Sequence, residues 1–159
     1  MRVQIRDQDE RFIEVEYERL RRFAAVVAPY DVDPDDVLHS VLVTVLRGRS
    51  LHTLDDPASY VRRSIVNHVH SELRRRGRAR TALGRLGRAE ASVDEYPSDL
   101  AELSRLAPDD RAILYLHDVE QFTFEEVADL LDTTAGRARM RASRARRKLE
   151  KALRQEETR

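Results

Sequence analysis

Apolar side chains recur every three or four residues along most of this chain, the spacing of a helix face rather than of a strand. From about Asp9 to Ala28 the stripe is Ile13, Tyr17, Leu20, Ala24 and Val27, and Pro29 ends it. Asp33-Pro34 then supplies a capping carboxylate followed by proline at the first helical position. The helix behind it carries Val37, Leu38, Val41, Leu42, Val45 and Leu46, a stripe so broad that it belongs at the centre of a bundle, and Gly48 closes it. Asp56-Pro57 repeats the start signal. Tyr60, Val61, Ile65, Val66, Val69 and Leu73 follow on one side, and the helix is predicted to stop at Gly77 after Arg74-Arg75-Arg76.

The periodicity dissolves between Gly77 and Pro97, which reads as a linker with room for a short helix over 81–86. It resumes with Leu100, Leu103 and Leu106 on one short helix. Pro108 opens the next, with Ile113, Leu114 and Leu116. Thr123 and Glu126 have the spacing of a capping box, with Phe122 placed to staple onto Val127. That helix is short, ending near Leu131. Asp132-Thr133-Thr134 makes a turn, and the last helix runs from Ala135 to about Arg154 with Ala138, Ala142, Ala145, Leu149 and Ala152 inward. The prediction is an all-α protein of two small helical domains, 1–76 and 98–159, loosely related through a flexible linker over 77–97.

Composition narrows the chemistry. There is no Cys, so disulfides, thiolate metal sites and thiol nucleophiles are excluded together. Five glycines among 159 residues are too few for a phosphate-cradling loop enzyme or a turn-rich β fold. No apolar run approaches the ~18 residues of a membrane span, and the first residues lack a signal-peptide core, so a cytoplasmic protein is expected. His68 and His70 lie two apart on a predicted helix and cannot chelate one ion together. Asp35-Asp36 and Glu125-Glu126 stand at helix starts, where acids suit the dipole. With neither a nucleophile–base pair nor a metal cluster, the chain does not read as an enzyme, and no cofactor or metal is expected.

The formal net charge is zero, but the charges are sorted. Residues 1–60 are net −4. Residues 61–90 set nine arginines against Glu72 and Glu90, net +7. Residues 91–136 are net −10, and residues 137–154 set nine cations against Glu150, net +8. Two basic blocks suggest two surfaces for a polyanion, although solvated basic helix faces would leave the same pattern. The second block lies on the last helix, as Arg137, Arg139, Arg141, Arg144, Arg146, Arg147 and Lys148. A short capped helix, a tight turn, then a helix with small inward and long basic outward residues is a helix-turn-helix arrangement. The outward Arg forks have the reach to bind guanine edges or clamp phosphate in a major groove.

Several stretches resemble a known family. Leu106 to Leu114, Phe122 to Leu131, and Gly136 through Ser143-Arg144-Ala145-Arg146-Arg147-Lys148-Leu149 resemble region 4 of extracytoplasmic-function (ECF) sigma factors, of the sigma-70 superfamily. Asp33-Pro34-Asp35-Asp36-Val37 and Asp56-Pro57-Ala58-Ser59-Tyr60-Val61-Arg62-Arg63-Ser64-Ile65-Val66-Asn67 resemble their region 2. The Arg-rich end of that stretch resembles the actinobacterial, SigE-like version. The resemblance covers nearly the whole chain, in the expected order and spacing.

It implies a promoter-specificity subunit that binds core RNA polymerase and promoter DNA. In the families it resembles, a sequestering anti-sigma factor is common. Region 2 would open the -10 element, with Asn67 at the pocket for a flipped base, Arg62 and Arg63 on phosphates beside it, and Arg74, Arg75 and Arg76 on the backbone. Region 4 would read the -35 element through Arg137, Arg139, Met140, Arg141, Ser143, Arg144 and Arg147. Asp35, Asp36, His39 and Ser40 match the part that faces polymerase, where the family usually has Gln-Glu in place of His39-Ser40. Asp132 stands where glycine is commoner in the turn, and an aspartate tolerates left-handed geometry. The competing reading is a sigma-like regulator that binds DNA or a partner without supporting initiation.

Overall fold

Asp33, Asp56 and Thr123 each end one loop and begin one helix, because each side chain accepts from a backbone amide that the first turn leaves unpaired. Asp33 accepts from the Asp35 amide at 2.8 Å, Asp56 from Ser59 at 3.0 Å and Thr123 from Glu126 at 3.2 Å. Glu126 completes the capping box by accepting from the Thr123 amide at 2.7 Å. The computed structural model describes residues 6–84 and 103–158. Among them run α1 (Asp7–Val27), α2 (Pro34–Gly48), a 3-10 turn (Leu51–Thr53), α3 (Pro57–Gly84), a second 3-10 turn (Leu103–Arg105), α4 (Pro108–Leu114), α5 (Phe124–Leu131) and α6 (Ala135–Glu157). A π-helical turn over Tyr115–Val119 extends α4. The all-α class is as the periodicity predicts.

The end of α3 differs from the expectation. The helix continues through Gly77 to Gly84 instead of stopping. Gly77 is exposed, and nothing lies near the place where its side chain would be, so it costs only the ~1 kcal/mol of a mid-helix glycine. Ion pairs on the preceding turn offset that cost: Glu72 accepts from Arg75 at 2.8 Å and from Arg76 at 3.2 Å. Thr81 also donates to the Gly77 carbonyl at 3.0 Å. The remainder of the expected linker, residues 85–97, and Leu100 lie outside the described residues. The short helix around Leu103 and Leu106 is a 3-10 turn.

Helices α1, α2 and α3 pack against one another, and α6 packs against both α4 and α5. The two halves then meet through α1 on α4 and through α3 on α4 and α5. One cluster of buried side chains runs through both, from Leu20, Phe23 and Val27 to Ile113, Leu116, Val127 and Ala142. Halves expected to be loosely related are therefore in intimate contact here. The reason is that α1 has apolar residues on two sides: Phe23 is fully buried, and its ring lies 6.1 Å from that of Tyr115 in the other half.

Two polar groups fix the ends of α1. Buried Arg111 of α4 donates to the Val27 carbonyl at 2.8 Å, placing a cation at the negative end of the helix dipole. Burial lowers its pKa. At the other end, buried Asp9 accepts from the Ser50 hydroxyl and from the His52 amide at 3.1 Å, pinning the loop between α2 and α3. Burial alone pushes the Asp9 carboxyl up, but the bonds from Ser50 and His52 outweigh it and hold its pKa below the ordinary value.

Two outcomes follow for stability. Phe23→Ala should cost about 3–5 kcal/mol and shift a single urea transition, since the ring is shared by both halves. A second transition left unmoved would contradict the shared core. Asp9, with its folded pKa below the unfolded one, stabilises fully above about pH 4, and that contribution is lost as pH falls through the folded value. Asp9→Asn should lower the urea midpoint at pH 7 and lower it less at pH 3.

Candidate nucleic-acid interface

The turn between α5 and α6 is built from short polar side chains. Asp132 sits in the left-handed region at φ 53°, and the next amide, on Thr133, donates to the Ala128 carbonyl at 2.9 Å. Thr134 then caps α6 by accepting from the Arg137 amide at 3.3 Å. Ala138, Ala142 and Ala145 are buried, so α6 comes close to α4 and α5 with no bulk between them. A helix-turn-helix results.

Its outward face carries Arg137, Arg139, Met140, Arg144 and Arg147 exposed to solvent, with Ser143 half-buried among them. Arg137 and Arg144 have no carboxylate partner among the described residues. Among the described residues, Arg147 donates to Ser143 at 3.3 Å. Arg139 lies 5.1 Å over the Phe124 ring, which itself stacks 3.9 Å from the His117 ring. His117 is held by the Phe122 carbonyl at 2.7 Å. This stack is a support for Arg139 that the sequence analysis missed. The signal was weak, because His117 and Phe124 lie seven residues apart across a turn.

Two of the basic residues do other work. Arg141 donates to Asp110 at 2.7 Å and Asp109 at 3.1 Å, tying α6 to the start of α4. Burial acts to lower its pKa, but the two carboxylates hold it above the ordinary value. Arg146 forms a fork with Asp118.

In the other half, Asn67 is exposed on α3 and lines a cleft of about 420 Å³ between α2 and α3, together with Val41, Thr44, Arg49 and Tyr60. Arg49 lies 5.2 Å over the Tyr60 ring. Arg49 follows the end of α2, and only the approach of α2 to α3 brings it here. Arg74 is exposed and donates to the Ser71 hydroxyl at 3.1 Å. Arg75 and Arg76 share Glu72, and Arg76 also forks onto Asp31 at 2.8 and 2.9 Å. The bonds from Arg75 and Arg76 lower the Glu72 pKa to about 2.

Arg62 and Arg63 turn away from this cleft. Arg62, only 3% exposed, donates to Glu120 at 2.7 Å. Arg63 donates to the Leu130 carbonyl at 2.8 Å and to the Asp129 carbonyl. The quartet at the start of α2 also divides. Asp35 accepts from the Tyr17 hydroxyl at 2.6 Å and from Arg21 at 3.0 Å, and the Tyr17 hydroxyl lies 3.2 Å from His39. The bond to Asp35 pushes the Tyr17 pKa up to about 12. Asp36, His39 and Ser40 remain exposed. Tyr17, read from the sequence as a core position, is thus also the brace of Asp35.

Residues 100–149 match the family model for sigma-70, region 4. The match spans α4, α5 and most of α6, and so contains the helix-turn-helix and its basic face. The fold as a whole is similar to that of the sigma factor RpoE from Bartonella quintana, solved in complex with the anti-sigma factor NepR. That likeness has a TM-score of 0.73 at 20% identity and covers 94% of this chain and 98% of that one. No curated protein sequence matches the chain significantly. The family match is thus confined to the helix-turn-helix half, and the likeness over the whole chain is one of fold. No described helix is long and apolar enough to cross a membrane, and no cluster of three or more potential metal ligands occurs among the described residues.

The arginines of α6 should separate on substitution. Arg144→Ala should leave the thermal midpoint unchanged and weaken duplex binding by about 1–3 kcal/mol where the side chain reads a base. Arg141→Ala should cost about 1 kcal/mol of stability through its partly exposed ion pairs and change duplex binding less than Arg144→Ala. Thermal melts and fluorescence anisotropy on a -35 duplex measure the two effects; the reverse order would contradict the division.

Proposed function

We propose that the chain is an alternative sigma factor of the ECF type, of the actinobacterial, SigE-like kind, which binds core RNA polymerase and directs promoter-specific initiation in the cytoplasm. The observation that carries this reading is the coincidence of the region 4 match with a helix-turn-helix on whose outward face Arg137 and Arg144 have no carboxylate partner among the described residues, while Arg139 has only a loose, exposed one in Glu125 at 3.9 Å. In this reading residues 98–159 are the -35 domain. Arg137, Arg139, Met140, Ser143, Arg144 and Arg147 meet the major groove, and Arg141 serves from behind by holding α6 on α4. Residues 1–76 are the -10 domain, with 77–97 joining the two. Asn67 receives an unstacked base in the cleft between α2 and α3, where Tyr60 and Arg49 offer a planar surface to stack against. Arg74, Arg75 and Arg76 hold phosphates, and Arg62 and Arg63 join them once released from the other half. Asp36, His39 and Ser40 face polymerase, with Asp35 positioned by Tyr17 and Arg21.

An anti-sigma factor is a further partner, supported by the fold shared with an RpoE solved on NepR. The protein itself is no enzyme: its work is binding and base capture, and it needs no cofactor. The alternative is a sigma-like regulator that does not support initiation. It is favoured by the commitment of Asp35 to Tyr17 and Arg21 on the face that would meet polymerase.

Reconstitution with core polymerase on a promoter library separates the two readings. Transcripts that start downstream of a shared -35/-10 pair support the sigma factor; DNA binding without transcripts supports the regulator. Asn67→Ala should keep helix content and polymerase binding. It should reduce open-complex formation on duplex promoters and relax preference for one -10 base. A template melted across the -10 element should restore part of the activity but not the base preference. Wild-type discrimination by the variant on single-stranded -10 oligonucleotides would remove Asn67 from the pocket.

A further inference from the structure

The loop that follows α2 is fastened to the start of α1. Asp9 is 2% exposed, and two residues 41 and 43 positions further along the chain reach it: the Ser50 hydroxyl donates to Oδ2 at 2.5 Å and the His52 amide to Oδ1 at 3.1 Å. Despite burial, those bonds hold the Asp9 pKa below the ordinary value, so the carboxyl is ionised and can only accept. Ser50 therefore gives its one proton to Asp9, and its oxygen accepts from Nδ1 of His52 at 2.6 Å. In a nucleophilic serine the imidazole takes the hydroxyl proton. Here the imidazole donates to the hydroxyl, so the three side chains form a latch and not a catalytic triad.

The latch sits one residue from the cleft between α2 and α3. After Ser50 the chain turns at once: Thr53 donates its hydroxyl to the Ser50 carbonyl at 2.7 Å, the Leu54 amide donates to the Leu51 carbonyl at 3.0 Å, and Leu51 is fully buried. Before Ser50, Arg49 leaves α2 in an extended conformation while its amide still donates to the Val45 carbonyl at 2.9 Å. The backbone of Arg49 is thus held by a helix end on one side and by the latch on the other. Its exposed guanidinium has no carboxylate partner among the described residues and lies 5.2 Å over the Tyr60 ring, on the cleft that Asn67 also lines. With no ion pair to aim it, the direction of Arg49 follows from the backbone that carries it.

We propose that Asp9 is a positioning residue for base capture: by latching Ser50 and His52 it keeps Arg49 over the Tyr60 ring, so that the stacking surface of the cleft is formed before DNA arrives. The inference rests on the reading of that cleft as the pocket for an unstacked base. It adds that affinity and selectivity there have separate sources. Stacking tolerates every base, so the latch sets how tightly any base is held, while the amide of Asn67 sets which base is preferred. Without the latch the loop is ordered only at the moment of binding, and affinity falls by the fraction of time that Arg49 spends away from Tyr60.

The test uses the full chain assembled with core polymerase and a fluorescein-labelled single-stranded -10 oligonucleotide. The captured position is varied through the four bases and also replaced by an abasic site. Arg49→Ala should weaken binding about tenfold for every base, the size of one lost stacking contact. Asp9→Ala should weaken it about threefold, alike for all four bases, the loss expected if Arg49 is then in place about a third of the time. Ser50→Ala, which leaves the bond from the His52 amide to Asp9, should act in the same direction and keeps the test valid if Asp9→Ala folds poorly. Adding either change to Arg49→Ala should cost less than about a further twofold, because both act through the same contact. Neither should alter binding of the abasic oligonucleotide, which offers nothing to stack. Ile113→Val, a core change in the other half, destabilises without touching the loop and should leave every affinity in place. The proposal is overturned if Asp9→Ala and Ser50→Ala bind as the wild type does, if they weaken the abasic strand as much as the intact one, or if their losses add in full to that of Arg49→Ala. A wild type that does not assemble with core polymerase, or that holds the abasic strand as tightly as the intact one, would sink the base-pocket reading itself and this proposal with it, whatever the variants do.

Discussion

Everything in this fold leans on α1. Leu20, Phe23, Ala24 and Val27 are removed from water by α2 and α3 on one side and by α4 on another, and the apolar burial of that single helix joins the two halves. Its ends are secured by charge. Arg111 meets the carbonyl of Val27 at the negative pole, and Asp9 near the start draws in the loop of Ser50 and His52. A helix used on both sides leaves neither half a complete core of its own in this arrangement. The relative placement of α3 and α5, and with it the fate of Arg62 and Arg63, follows from that.

The arginines show how far context governs one residue type. Arg111 and Arg62 are buried, where a guanidinium is tolerated only with acceptors close by; one has a helix end and the other a carboxylate. Arg141 and Arg146 are half-exposed and tie α6 to Asp109, Asp110 and Asp118. Arg137 and Arg144 stand on the same helix with no carboxylate partner among the described residues. A polyanion would compete poorly for the first two groups and freely for the third. The net charge of +8 over residues 137–154 therefore overstates the basic surface that α6 offers to a ligand.

Helix starts were legible because their causes are local. A carboxylate or hydroxyl before the first turn reaches an amide two or three residues on, so Asp33, Asp56 and Thr123 announced α2, α3 and α5 without reference to the rest of the chain. The inward row Ala138, Ala142 and Ala145 was legible for the same reason, as was the left-handed Asp132. The end of α3 was not. Gly77 breaks a helix only where its backbone freedom is used, and here the ion pairs of Glu72 hold the preceding turn in place.

By itself, then, the sequence determined an all-α chain, its helix starts, the helix-turn-helix and the sorting of charge into two basic blocks, since all of these depend on residues within one or two turns of each other. Only the tertiary structure decided which cations in those blocks remain open to a ligand. Arg62 meets Glu120, Arg63 the end of α5 and Arg141 the start of α4, across separations of 58, 67 and 31 residues. No local spacing encodes such pairings, because they arise when α1 buries both of its apolar sides and carries α3 and α5 into contact.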